Sequence, residues 1–262
     1  MPLLSMSDIW DETKLFLARE RALVMPLGFA TFGIALLIVG LAAPQRGAGE
    51  QMPAGPWMLW LLPGLLLITI GYLAISAIVL LPNISVREAI GRAMARLPAA
   101  LLVTGMLIGA MLLIMTLAAM IMGIIGVGLG WSMEGAAMAS VAIALIPMFW
   151  LSIRLILLWP LLVDHGPGPM DAIRGSFALT AGHAGRIAAL MLLAAMIYLL
   201  GTGVAQIAGG SVFMLIGRLL GDPGLGHLLT TILVAAVGAG LATIWSLFVA
   251  LLYRRLDSNS GA

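Results

Sequence analysis

Six times along this chain an apolar run long enough to cross a bilayer is bracketed by charged or turn-forming residues. The runs lie at about 22–43, 57–81, 98–125, 135–163, 185–208 and 227–253. Roughly 20 apolar residues suffice for one helical crossing, and a crossing in lipid must satisfy its own backbone hydrogen bonds. The runs are continuous rather than alternating, which selects helices over an outer-membrane barrel. At 62% hydrophobic and 9% charged, the chain falls far below the roughly one quarter charged that is usual of water-soluble domains. The expectation is an all-α polytopic membrane protein with six transmembrane helices. The third and fourth runs exceed the minimum, so a tilt or kink is expected there. Pro147 and Pro160, both in the fourth, are the kink sites.

The basic residues orient these spans. Lys14, Arg19, Arg21, Arg87, Arg92, Arg96, Arg174, Arg186, Arg254 and Arg255 fall on one side, and Arg46 and Arg218 on the other. The positive-inside rule makes the first side cytoplasmic and puts both termini there, in a bacterial inner membrane. The leader carries four acids (Asp8, Asp11, Glu12 and Glu20) and precedes too long an apolar run to read as a cleaved signal.

The cytoplasmic segments repeat. Ser5-Met6-Ser7-Asp8, Ser85-Val86-Arg87-Glu88 and Gly168-Pro169-Met170-Asp171 each pair a helix-start residue with an acid three positions on. Behind each lies an amphipathic stretch and then two apolar runs. Three parallel repeats follow, at about 5–83, 84–166 and 167–253, each an interfacial amphipathic helix plus a transmembrane hairpin. They form a single membrane domain, 1–256, followed by a short polar tail, 257–262. In the second stretch Arg87, Arg92 and Arg96 oppose Val86, Ile90 and Leu97, placing the arginines at the headgroup surface. On the outer side lie a loop at 44–56, a turn at Gly130 to Gly135, and a surface-lying segment around 212–220. Gly221-Asp222-Pro223-Gly224 breaks that last segment.

Few residues carry chemistry. Arg154 lies inside the fourth run, about nine residues or roughly 13 Å from its cytoplasmic end. An arginine at that depth either binds a lipid phosphate or other anion between helices, with Arg174 as a second candidate, or snorkels to the headgroups. Gly105 with Gly109, Ala235 with Ala239 and Gly238 with Ala242 are small-xxx-small pairs suited to close helix crossings, within the bundle or with a second copy. Pro160 is a further packing candidate. His165, His183 and His227 lack metal-ligand spacing, and the 18 methionines read as adaptable packing rather than a copper site. With no cysteine, disulfides and thiolate sites are excluded. No catalytic set or phosphate-binding loop is visible, so neither an enzyme nor a cofactor is expected. The net charge of +2 is too small and dispersed for nucleic acid.

Arg154-Leu155, Pro160, Asp164, Gly168-Pro169-Met170-Asp171-Ala172-Ile173 and Ser176 resemble a prokaryotic family of six-span proteins. That family includes the membrane domain of some glycerophosphoryl diester phosphodiesterases and related bacterial inner-membrane proteins. The resemblance implies a six-helix bundle; the catalysis of the phosphodiesterase members resides in a separate soluble domain, so their hydrolysis is not expected of this chain. The resulting expectation is a non-enzymatic inner-membrane protein of envelope or lipid homeostasis, or a membrane subunit of a larger assembly. Its partners would be membrane lipids, with other subunits or a second copy of the chain as further partners. The competing expectation is a transporter of an anionic or lipid-like substrate.

Overall fold

A computed structural model of the chain describes residues 6–44, 55–81, 83–164, 166 and 168–260. Arg46, His165 and Ser5, and with Ser5 the first helix-start residue, lie outside them. Among the described residues all regular structure is helical, and six helical stretches are long and apolar enough to cross a membrane. The chain is therefore an integral membrane protein by length and composition of its helices.

The first crossing is made by α1 (Met6–Gly28), a π-helical turn (Phe29–Gly33) and α2 (Ile34–Ala42) without a break. A short 3₁₀ turn (Pro56–Trp60) opens α3 (Leu61–Leu80). Next come α4 (Val86–Leu129) and α5 (Met133–Arg154), joined at Gly130, whose φ of 68° ends α4 in the left-handed region. The short α6 (Leu158–Asp164) and the amphipathic α7 (Pro169–Leu179) follow. Then α8 (Ala184–Val204), a second π-helical turn (Ala205–Gly209) and α9 (Gly210–Leu219) run on continuously, and α10 (Pro223–Ser260) closes the chain.

Three expectations are corrected. The first two amphipathic stretches are not separate surface helices. Residues 6–28 form one helix, and α4 runs 44 residues, about 66 Å, through Pro98. Only α7 stands apart, because Gly182 at φ 80° turns the chain before α8. The outer segment around 212–220 likewise continues the fifth crossing as α9. The fourth crossing is interrupted, not merely kinked, at residues 155–157.

Of the two expected helix starts that are described, Gly168 has no side-chain cap and is followed by Pro169, whereas Ser85 is capped by its own side chain. The Ser85 hydroxyl accepts the Glu88 N–H, and the Glu88 carboxylate accepts the Ser85 N–H at 2.8 Å, a complete capping box. This pairing, with the Ser85 hydroxyl as the larger contributor, holds the Glu88 carboxyl below its ordinary range. Asp222 starts α10 by accepting from the Gly224 and Leu225 N–H groups at 2.9 and 3.2 Å.

The packed core lies where α1 runs along α3 and α10, with α6 and the first half of α4 packed against them. Small residues make that approach close. A Cβ on Gly28 would sit 1.9 Å from Thr243 Oγ1, and one on Gly71 would sit 2.6 Å from Thr31 Oγ1. Ala235 and Ala239 are buried in this seam, and a Cβ on Gly238 would sit 2.9 Å from Leu36. Gly105 and Gly109, by contrast, are exposed on α4 with nothing near their missing side chains. They pack no helix within the chain.

The helices close in a ring. α3 packs on α4, α4 on α5, α5 touches α8, and α8 meets α10, which also touches α3. At one end the chain's two extremities meet, since Arg254 and Arg255 both engage Glu12, the latter at 2.8 Å through Nε. Tyr253 donates to Asp164 Oδ2 at 3.0 Å, tying α6 to α10.

Candidate functional site

The break in the fourth crossing is a matter of hydrogen-bond accounting. Pro160 has no N–H to give the Ile156 carbonyl, and its ring crowds the preceding turn. One turn upstream, the Leu158 N–H bonds back to Leu155 at 3.1 Å instead of to Arg154. The Arg154 carbonyl is thereby released, and the Ser176 hydroxyl of α7 donates to it at 2.7 Å. Ser176 is fully buried. α6 then turns into the bundle, where Leu158 and Pro160 to Val163 are buried.

Arg154 is accordingly the last residue of α5. A cation there complements the helix dipole. Its guanidinium lies over the Trp150 ring at 5.5 Å, and Trp150 in turn meets Phe177 edge-on at 5.7 Å. Its Nε is buried without a hydrogen-bond partner. Because α7 reaches the Arg154 backbone, the depth counted along an unbroken helix overstates its distance from charged surface. The exposed pair Arg174–Asp171, at 3.9 Å, sits on that same α7. Arg174 turns to Asp171 and shares no contact with Arg154. Arg87 and Arg92 are exposed on α4, as a headgroup-facing role requires. Arg96 is half-buried and donates to the Gly166 carbonyl at 3.3 Å, so it ties α4 to the α6–α7 loop.

The concave features lie elsewhere. A half-open cavity of about 220 Å³ lies between the helices of the ring. Its walls are Tyr72 and Ser76 of α3, Leu107 and Met111 of α4, Leu151 and Ser152 of α5, Leu155 and Ile156 of the break, and Trp159 and Pro160 of α6. Met191 of α8 and Trp245, Ser246 and Val249 of α10 complete it. Pro160 opens the helix beside this cavity and is itself buried in the bundle. The aromatic walls are held by one another: Tyr72 meets Phe32 at 5.0 Å and stacks on Trp159 at 6.2 Å, while Trp245 stacks on Phe248 at 5.8 Å.

Beside it runs a larger groove of about 540 Å³ between α8 and α10. Leu190 to Leu199 form one wall and Leu241 to Phe248 the other, with Trp10 of α1 also contributing. These residues cover about three turns of α8 and two of α10. Ile197 and Leu199 on its α8 wall are 47% and 68% exposed. Tyr72, Met191 and Trp245 line both spaces. Arg154 lines neither.

One polar atom in this region has no partner. Among the described residues eleven serines and threonines are buried, and ten donate to a backbone carbonyl. Nine of these reach the carbonyl four residues back, as hydroxyls in apolar helices usually do, and Ser176 reaches Arg154. The eleventh, Ser246, is 2% exposed, and its hydroxyl is unbonded at the cavity wall. Residue types did not single out Ser246, Tyr72 or Trp245. The available signal was a serine flanked by tryptophan within an apolar run. Among the described residues no group of three or more His, Asp or Glu converges to hold a metal.

No protein-family model matches the chain, and no curated protein or solved structure is significantly similar to it.

Proposed function

We propose that this chain is a non-enzymatic inner-membrane protein that binds lipid in the groove between α8 and α10, in the service of envelope or lipid homeostasis. The observation that carries the reading is an apolar groove between α8 and α10 that shares Tyr72, Met191 and Trp245 with the neighbouring cavity. A slot along two crossings is accessible to the hydrocarbon phase without passage through water. Its apolar lining suits an acyl chain, and Trp10 and Trp245 suit the polar–apolar boundary along such a molecule.

The rest of the proposal is topological. Both termini are cytoplasmic in a bacterial membrane, a placement supported by the basic residues and by the meeting of Glu12 with Arg254 and Arg255. Three parallel repeats, each a cytoplasmic amphipathic lead and a hairpin, and the likeness to the six-span family around Arg154 and Ser176 belong to the same reading. Lipids are its partners, with a second copy or another subunit on the open α4 face that carries Gly105 and Gly109.

A transporter is the second reading, and the helix break at residues 155–157 favours it, since broken helices mark transport sites. Against it, no charged residue lines the cavity.

The test is native mass spectrometry of the gently extracted protein, with Ala195→Trp and Ala242→Trp filling the groove from either wall. The wild type is expected to retain lipid and both variants to lose it. Undiminished lipid in both variants would overturn the proposal.

A further inference from the structure

We infer that the inner cavity takes the uncharged, hydroxyl-bearing head of an acylglycerol whose chain lies in the groove, an assignment that rests on the groove being a lipid site. Chain burial cannot by itself select a ligand here, because a chain leaving the bilayer for the groove moves between two apolar phases. Selection falls to the polar end of the molecule.

The cavity's chemistry specifies that end. No charged side chain lines it, so a phosphate there would be desolvated without a cation to pair with. Its serine hydroxyls divide by role. Ser76 and Ser152 donate to the Tyr72 and Met148 carbonyls at 2.7 and 2.9 Å, which leaves their oxygens as acceptors toward the cavity. Ser246 has its donor unspent. A complementary head therefore offers at least one O–H and one acceptor oxygen, as the glycerol end of an acylglycerol does. The cavity of about 220 Å³ has room for a small polar head. The shared residues Tyr72, Met191 and Trp245 mark where head and chain would join.

The buried Ser246 hydroxyl is the group to test, and its replacement breaks no hydrogen bond made within the chain. The purified full chain is incubated in detergent with equimolar 1,2-dioleoylglycerol and dioleoylphosphatidylglycerol, which share chains and differ in the head, and adducts are counted by native mass spectrometry. Dioleoylglycerol is expected to dominate. Ser246→Ala should lower its adduct about three- to tenfold, the equivalent of one neutral hydrogen bond, and leave the phosphatidylglycerol adduct unchanged. Equal adducts that Ser246→Ala does not alter, or a preference for phosphatidylglycerol, overturn the head assignment. If those adducts still disappear in Ala195→Trp, the groove stands and only the assignment falls. Should Ala195→Trp leave every adduct untouched, the groove reading itself has failed.

Discussion

The Ser176 hydroxyl donates to the Arg154 carbonyl across 2.7 Å, fastening the amphipathic α7 to the broken end of α5. This bond is possible because the helix stops at Arg154, and it compensates a carbonyl that an unbroken helix would have satisfied. It also explains how an arginine far inside an apolar run is tolerated: its helix ends there, beside Trp150 and under α7. Ser176→Ala would leave that carbonyl buried and unpaired. A loss of about 1–3 kcal/mol is expected in denaturant unfolding of the micelle-embedded protein. Arg154→Gln should lower stability too, while leaving lipid retention in the groove at the wild-type level.

Two glycines of similar helical setting are predicted to respond in opposite directions. Gly28→Ala drives a methyl into Thr243 and should cost about 1–3 kcal/mol by overpacking. Gly105→Ala meets nothing and should stabilise α4 by about 0.5–1 kcal/mol through helix propensity alone. Paired thermal melts in one detergent check both.

Gly166 holds a φ of 60° against Arg96, and an added Cβ would fall 1.9 Å from Arg96 Nη2. Gly166→Ala therefore combines backbone strain of about 1–3 kcal/mol with a clash. In an Arg96→Ala background only the strain remains, so a double-mutant cycle should show the two changes costing less together than their sum. Strict additivity would deny the contact.

The Glu12 carboxylate that engages Arg254 and Arg255 anchors the start of α1. These groups are partly exposed, so each pair is worth no more than about 1 kcal/mol and is weakened by salt. Glu12→Gln should speed tryptic cleavage after Lys14 and Arg19 by a few-fold, reporting local fraying rather than global unfolding. The difference should shrink at high ionic strength.

Much of the fold was legible in the sequence because the bilayer constrains it. Run length gave six crossings, and Pro160 foreshadowed trouble in the fourth. The break fell one turn earlier because a proline disturbs the carbonyl four residues before it. Amphipathic patterning alone does not make a separate helix. Residues 6–28 contain no glycine or proline before Pro26, and Pro98 alone did not interrupt α4, whereas Gly182 did free α7. Gly105 and Gly109 share the spacing of Ala235 and Ala239, yet only the latter pair faces another helix, and spacing carries no information about facing. The cavity escaped notice for a related reason. Tyr72, Ser152, Met191 and Ser246 come from four crossings, and nothing local marks them as neighbours.

The central claim is that bilayer chains enter between α8 and α10 and reach Trp245. The direct measurement is the fluorescence of Trp245, taken as the difference between wild type and Trp245→Phe, in bilayers whose phosphatidylcholine and diacylglycerol chains are brominated. Strong quenching relative to unbrominated bilayers is the predicted result. A Trp245 contribution that bromine leaves unquenched would mean the groove is closed to lipid, and would contradict the account.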